Sequence, residues 1–245
     1  ISIIIPYHKK KEFFQETINS INRQSFKNFE VIIIYDDNDK SELKYVKKIL
    51  RNSKFIKKLI INDKIIGAGL SRNKGIGVSK GNYIAFCDAD DVWKINKLKY
   101  QLNFMKNKKI DFSHSSYLII DSKSKLIGNF KVPKKIFHKE LIKSCDIGLS
   151  SVMLSKALMK KRLFSNLKTK EDYLLWFNLI KHTKTFYGIN QNLVSWRLSD
   201  ESLSGSNFQK IKDAFLLYRY HLNFSFLFSI FCVIRLTFYA FKKKN

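Results

Sequence analysis

Cysteine is scarce in this chain, and what there is lies scattered. Cys87, Cys145 and Cys232 form no CxxC pair and no disulfide pattern, which excludes a disulfide-stapled scaffold and suits a reducing compartment. Acid is scarce too: 20 Asp+Glu stand against 46 Lys+Arg, a formal net charge of +26. Arginine is rare within that excess, at seven residues. Bidentate recognition of bases and phosphates favours Arg, so a Lys-dominated surplus reads as general electrostatics. It suits an anionic membrane surface, nucleic acid or phosphate-bearing substrates. It equally suits a chain rich in Lys, Ile, Asn and Phe throughout. No nucleic-acid-binding motif is present, so nucleic acid is not an expected partner. The opening apolar run, ISIII at 1–5, is too short for a signal-peptide core. The phosphate-binding pattern GxxxxGK[ST] is missing, and GIGVSKG does not match GxGxxG in place or context. Those two absences count against nucleoside triphosphatases and dehydrogenases. His8, His114 and His138 show no metal-ligand spacing and read as ordinary residues.

What is present is enough apolar material for a sizeable core: 45% hydrophobic and 14% aromatic residues over 245 positions. Runs rich in β-branched residues at 1–5 and 29–37, the second ending in acid, predict buried strands, and further strands are expected at 55–62 and 83–87. Helical spacing marks 11–24 and 41–52, and the segment 67–82, with five glycines, predicts a loop followed by a helix. Strands alternating with helices predict an α/β domain with a mostly parallel central sheet flanked by helices. Farther on, 94–107 and 170–183 predict amphipathic helices, while 111–121 and 185–199 predict strands. The tail, 224–241, is 18 residues with one charge, Arg235, and is followed by KKKN. A membrane span wants about 20 apolar residues. The favoured expectation is therefore a segment lying in or dipping into the cytoplasmic membrane surface, ahead of a true span or a helix packed on the domain.

Against this basic background, two predicted strands end in acid. VIIIYDD delivers Asp36 and Asp37, and YIAFCDADD delivers Asp88, Asp90 and Asp91. In open α/β sheets ligands bind outside the carboxyl ends of the strands. If the strands are parallel, both clusters share one edge. Asp also favours turns after strands, but that explains two clusters on one edge poorly. Crowded carboxylates need positive charge, and oxygen ligands without His or Cys suit Mg²⁺ or Mn²⁺, which take substrate phosphates as further ligands. A diphosphate holder is the expected result.

Three stretches in order then resemble family 2 glycosyltransferases, inverting enzymes of the GT-A fold. They are SIIIPYHKKKEFFQETINSINRQSFKNFEVIII, GAGLSRNKGIGVSKGNYIAFCDADDVW and KEDYLLWFNL. The resemblance covers about residues 1 to 205. It implies a nucleotide-sugar donor, UDP-linked by expectation, and a hydroxyl acceptor on a glycan or lipid-linked precursor of a surface polysaccharide. Pro6 and Tyr7 would border the base, and Asp36 or Asp37 would bond the uracil ring. Arg72 would lie near the ribose or phosphates, and Arg197 would face pyrophosphate or acceptor. Asp90 would hold the metal, with Asp88 toward the ribose or also on the ion, and Asp91 supporting or ligating. In the Glu171-Asp172 pair, Asp172 would be the general base. Read alone, that pair would simply complement a helix dipole, and Trp176 reads as a core anchor.

The expected organisation is a glycosyltransferase domain over 1–222, divided into a nucleotide-sugar half, 1–91, and an acceptor half, 92–222. A membrane-associating segment at 223–245 would place the protein on the cytoplasmic face of the inner membrane. Three other readings stay open: a basic module binding nucleic acid or an anionic surface, which leaves the acidic strand ends unexplained; an inactive UDP-sugar binder, since the family's DDGS is YDDND here; and a nucleotidyltransferase, which would not explain the Glu171-Asp172 helix.

Overall fold

The computed structural model describes residues 1–198 and 207–242. Its first half is built as the apolar runs dictate. Strands β1 (Ser2–Tyr7), β2 (Glu30–Tyr35), β3 (Ile56–Ile61) and β4 (Tyr83–Phe86) alternate with helices α1 (Lys11–Asn22), α2 (Lys40–Arg51) and α3 (Ala68–Val78). β1 pairs in parallel with β2 on one side and β4 on the other, and β2 pairs in parallel with β3. β1 and β2 are buried on both faces, which is why they read as unbroken β-branched runs. β3 forms the edge, and its exposed Lys57 and Lys58 blunt that edge against pairing with another chain.

The second half extends the same sheet. It adds β5 (Val92–Trp93), α4 (Lys97–Lys108), β6 (Phe112–Ile120), β7 (Leu126–Phe130), β8 (Lys135–Phe137), α5 (His138–Lys143), β9 (Met153–Ser155), α6 (Lys156–Met159), α7 (Glu171–Thr183) and β10 (Thr185–Arg197). The main path through the sheet runs β3-β2-β1-β4-β9-β6-β10-β5. β9 is inserted antiparallel between β4 and β6, while β6 and β10 are parallel to each other. The segment expected as one or two strands at 185–199 is a single strand with two register shifts.

Alternation along the strands divides the core in two. Ile3, Ile5, Val31 and Ile33 face α1, α2 and α4, where Phe14, Ile18, Val46, Ile49 and Leu98 meet them. Ile4, Ile32, Ile34, Ile84 and Phe86 face the other layer, whose centre is α7. α7 is buried nearly all round, through Tyr173, Leu174, Leu175, Trp176, Phe177, Leu179 and Ile180. Trp176 stands edge-on to Phe112 of β6, the core anchor expected of it.

α8 (Asn207–Leu216) continues through a π-helical turn into α9 (Phe226–Lys242). Ser229, Cys232 and Leu236 of α9 are buried, at helical spacing along one side. Arg235 donates to the Ile142 carbonyl at 2.8 Å, so the one charge of the apolar tail is turned toward the domain. On the other side Leu227, Phe231, Ile234 and Phe238 are more than half exposed. No described helix is long and apolar enough to cross a membrane.

Candidate active site

Parallel pairing of β2, β1 and β4 puts both acid clusters at one edge, as the alternation predicts. Asp36 and Asp37 leave the end of β2, and Asp88, Asp90 and Asp91 leave the end of β4. The loop after β1, His8 to Lys10, lies between them. His8 Nδ1 stands 2.7 Å from the Asp36 carbonyl and 3.3 Å from Asp37 Oδ2, and the Lys9 N–H donates to the same Asp37 oxygen. On the other side of that loop, Lys10 Nζ lies 2.9 Å from Asp90 Oδ2.

Arg72 on α3 joins the strand end to α7. Its Nη2 donates to Asp88 Oδ1 at 2.7 Å and its Nη1 to Glu171 Oε1 at 2.8 Å, although these partners lie 16 and 99 positions away in sequence. Glycine permits this approach. A Cβ on Gly69 would sit 2.8 Å from the Ser165 carbonyl oxygen and 2.9 Å from Glu171 Cγ. Gly67, with φ of 90°, supplies the left-handed turn into α3, and its N–H donates to Asp36 Oδ2 at 2.7 Å. Burial works against the Arg72 charge, yet Asp88 and Glu171 more than offset it and hold the guanidinium above its usual range. Burial and then Asp172 push Glu171 up to about 7. Burial also raises Asp172, with Lys170 and Arg72 opposing. Asp172 sits in the first turn of α7, its Oδ1 accepting the Tyr173 N–H at 2.7 Å.

Acid at the parallel strand ends is thus tied to a second acidic pair on a buried helix. Residues 2–168 match the model of Glycosyl transferase family 2. The chain belongs to that family. It is therefore a glycosyltransferase. It is 33% identical, over 86% of its length and 82% of the relative's, to the UDP-Glc:alpha-D-GlcNAc-diphosphoundecaprenol beta-1,3-glucosyltransferase WfgD of Escherichia coli. Its fold is the GT-A fold. It is similar to Staphylococcus aureus TarS solved in complex with UDP, with a TM-score of 0.71 and 19% identity over 95% of this chain and 69% of that one. It is also similar to the Pyrobaculum calidifontis mannosyltransferase PcManGT in complex with GDP-Man and Mn²⁺, with a TM-score of 0.68 and 11% identity over 91% and 64% of the two chains.

Within the family framework, the residues singled out from sequence have individual surroundings. Pro6 is the last but one residue of β1, in register with Ile34 of β2. The Tyr7 side chain points into the core, where its hydroxyl donates to Glu42 at 2.6 Å and its ring stacks on Tyr35. Asp36 is tied up by three donors, Asn62 Nδ2, the Ile66 N–H and the Gly67 N–H, and so anchors the turn before α3. Asp37 takes the N–H groups of Lys9, Asn38 and Asp39. Arg197, expected to face ligand, is buried and spent on the protein itself. It donates to the carbonyls of Asp90 and Asp121, to Ser124 Oγ and to Glu16. Its own N–H donates to Asp91 Oδ1 at 2.9 Å. Arg197 therefore braces the DADD turn from behind. The segment that follows it, 199–204, lies outside the described residues.

Lys10, His8, Asn62 and Ser150 were not singled out from sequence as site residues. Ser150 Oγ accepts the Asp88 N–H at 2.9 Å and fixes the turn. No local pattern marks these residues, because each acts on a segment far away along the chain.

The acid set fits a hard cation. Asp88 has a third of its side chain exposed and commits Oδ1 to Arg72. Asp90 lies beside it, and Asp91 Oδ2 is buried behind them with no hydrogen-bond partner among the described residues. Among the described residues no three His, Cys, Asp or Glu side chains converge as a ready-made cage. One or two carboxylates with room for substrate phosphates is, however, the usual arrangement for Mg²⁺. Burial pushes Asp90 up, with Lys10 opposing and Asp88 adding, and burial pushes Asp91 well up.

Proposed function

We propose that the protein transfers a sugar, with inversion, from a UDP-sugar to a hydroxyl of a lipid-linked or glycan acceptor in surface-polysaccharide synthesis. The observation that carries this reading is the Arg72 bridge, which sets the Glu171-Asp172 start of α7 against the carboxyl end of β4. The likeness to a glucosyltransferase named for a UDP-glucose donor and a diphosphoundecaprenol acceptor supports the donor and acceptor class.

In this reading the base lies against the backbone of Pro6 and Tyr7, with Asp36 and Asp37 fixing the rim. Asp90 and Asp88 would hold Mg²⁺ or Mn²⁺, with Asp91 behind them, and the ion would offset the charge that develops on the leaving diphosphate. Asp172 accepts the proton of the acceptor hydroxyl. Its raised affinity for protons suits that role, because a general base works best near the operating pH. Glu171 holds Arg72 so that the guanidinium stays between the diphosphate side and the base. Acid is needed in two places because the leaving group departs from one face of the sugar while the hydroxyl attacks the other.

The exposed side of α9 supports placing the protein on the cytoplasmic membrane surface, where a lipid-linked acceptor would be found. An apolar stripe with lysines behind it suits an interfacial helix.

The test is a panel of nucleotide sugars with Mn²⁺, assayed for UDP release with and without a polyprenyl-diphosphate-linked sugar. Release from one donor, accelerated by the acceptor, is expected. A panel that yields no release from any donor, with or without acceptor, overturns the reading.

A further inference from the structure

The Lys10–Asp90 ion pair occupies the place where the proposed cation would bind. Lys10 Nζ is 2.9 Å from Asp90 Oδ2, and the two side chains are only 12% and 14% exposed. The lysine is aimed there by its backbone. Its carbonyl accepts the Phe13 and Phe14 N–H groups at the start of α1, so its Cα is fixed at the head of that helix. With Arg72 on Asp88, the pair leaves the two outer carboxylates of the turn each matched to a cation before any ligand arrives.

An ammonium and a divalent ion cannot share one carboxylate oxygen at close range, because like charges within a few ångströms repel. An ion that uses Asp90 Oδ2 therefore binds the molecules in which Lys10 has left that oxygen, and its apparent affinity is reduced by their fraction. Once displaced, the ammonium needs another anion within reach of the same tether. The diphosphate of the donor is the anion that the transfer reading brings to this spot.

We propose that Lys10 is a placeholder counter-ion that couples cation and diphosphate binding. It shields Asp90 in the empty site, and it moves to a phosphate oxygen when nucleotide and ion arrive together. This rests on the transfer reading, and it makes Lys10 a positioning residue for donor loading. Lysine suits the task better than arginine, being a compact point charge on a flexible stem rather than a planar fork. By linkage, whatever Lys10 takes from ion binding in the empty site it returns as cooperativity with the nucleotide.

The test measures Mn²⁺ binding by electron paramagnetic resonance, with and without UDP and with no sugar present. Lys10→Met keeps the length of the side chain and removes the charge. It should bind Mn²⁺ alone about tenfold more tightly than the unsubstituted protein and lose most of the tightening caused by UDP. In an Asp90→Asn background, Lys10→Met should leave Mn²⁺ binding without UDP unchanged, because the partner of the lysine in the empty site is gone. Unchanged Mn²⁺ affinity in Lys10→Met overturns the proposal. An equal gain in the Asp90→Asn background also overturns it, since that would be a general charge effect. Absence of Mn²⁺ binding in every protein overturns it as well. UDP release measured on the same preparations separates each of these failures from failure of the transfer reading.

Discussion

Asp172 and Arg72 carry the heaviest demands on single side chains. Asp172→Asn removes the proton acceptor but keeps the oxygen that receives the Tyr173 N–H, so α7 should start as before. Transfer should fall by at least about 10²-fold, while UDP binding measured by calorimetry stays within about twofold of the unsubstituted protein. Undiminished transfer would remove Asp172 from the mechanism. Arg72→Met leaves Asp88 and Glu171 without their shared cation. Removing one partner of a buried ion pair costs about 3–5 kcal/mol, and a loss in that range is expected at pH 7. The sign of its pH dependence follows from Glu171, whose carboxyl is already raised to about 7 and climbs further without Arg72. A carboxyl raised in the folded state destabilises above its unfolded value and ceases to do so once both states are protonated. The deficit of Arg72→Met in urea denaturation should therefore shrink as the pH falls from 7 toward 4.5.

At the scale of elements, the junction of α3 and α7 and the outward side of α9 decide most. Gly69→Ala puts a methyl group against the Ser165 carbonyl, backbone that cannot turn aside, and against Glu171. It should cost about 1–3 kcal/mol through overpacking and reduce transfer with little change in Mn²⁺ binding, since the β4 turn is untouched. On α9, Leu227 and Ile234 are 78% and 64% exposed and lie on the side away from Cys232. The double substitution Leu227→Glu with Ile234→Glu should reduce flotation with anionic vesicles by at least about tenfold, because each buried aliphatic side chain contributes about 1.5–3 kcal/mol. Its thermal midpoint should stay close to that of the unsubstituted protein. Flotation that survives both charges would take α9 off the bilayer.

At the scale of the whole molecule, charge and burial are distributed unevenly across the two layers. α9 packs on the α7 layer, while the lysines of α2 belong to the opposite one. There Lys11, Lys40, Lys44, Lys47, Lys48 and Arg51 line a groove of about 530 Å³. A bilayer under α9 would leave that groove turned away from lipid, so the net charge is not one membrane-facing patch. Burial of His114 sets an acid limit on stability. Burial pushes its pKa down from 6.5 to about 4, and neither ring nitrogen has a hydrogen-bond partner among the described residues. A group whose folded pKa is lowered binds fewer protons in the folded state, so its contribution falls as the pH drops from 6.5 to 4. His114→Phe should flatten that part of the stability curve, measured by urea titrations at several pH values. An unaltered slope between pH 4 and 6.5 would exclude His114 as a source.

The chain by itself determined the strands, the acid at their ends and the order of the motifs. β-branched runs buried on both faces leave a periodicity signal that does not depend on distant partners, and a parallel sheet then places Asp36 and Asp88 on one edge. Only the tertiary structure decided how those acids are matched. Arg72 spans from β4 to α7, Lys10 pairs with Asp90, and Arg197 spends its guanidinium on carbonyls and Glu16 rather than facing outward. The tail divides in the same way. Its apolar run was visible in sequence, but the side that docks on the domain was fixed by Ser229, Cys232 and the Arg235 bond to Ile142. Local pattern reports which residues prefer burial or a turn. The neighbour that satisfies a charge depends on contacts between segments far apart in the chain, and those exist only once the sheet has brought them together.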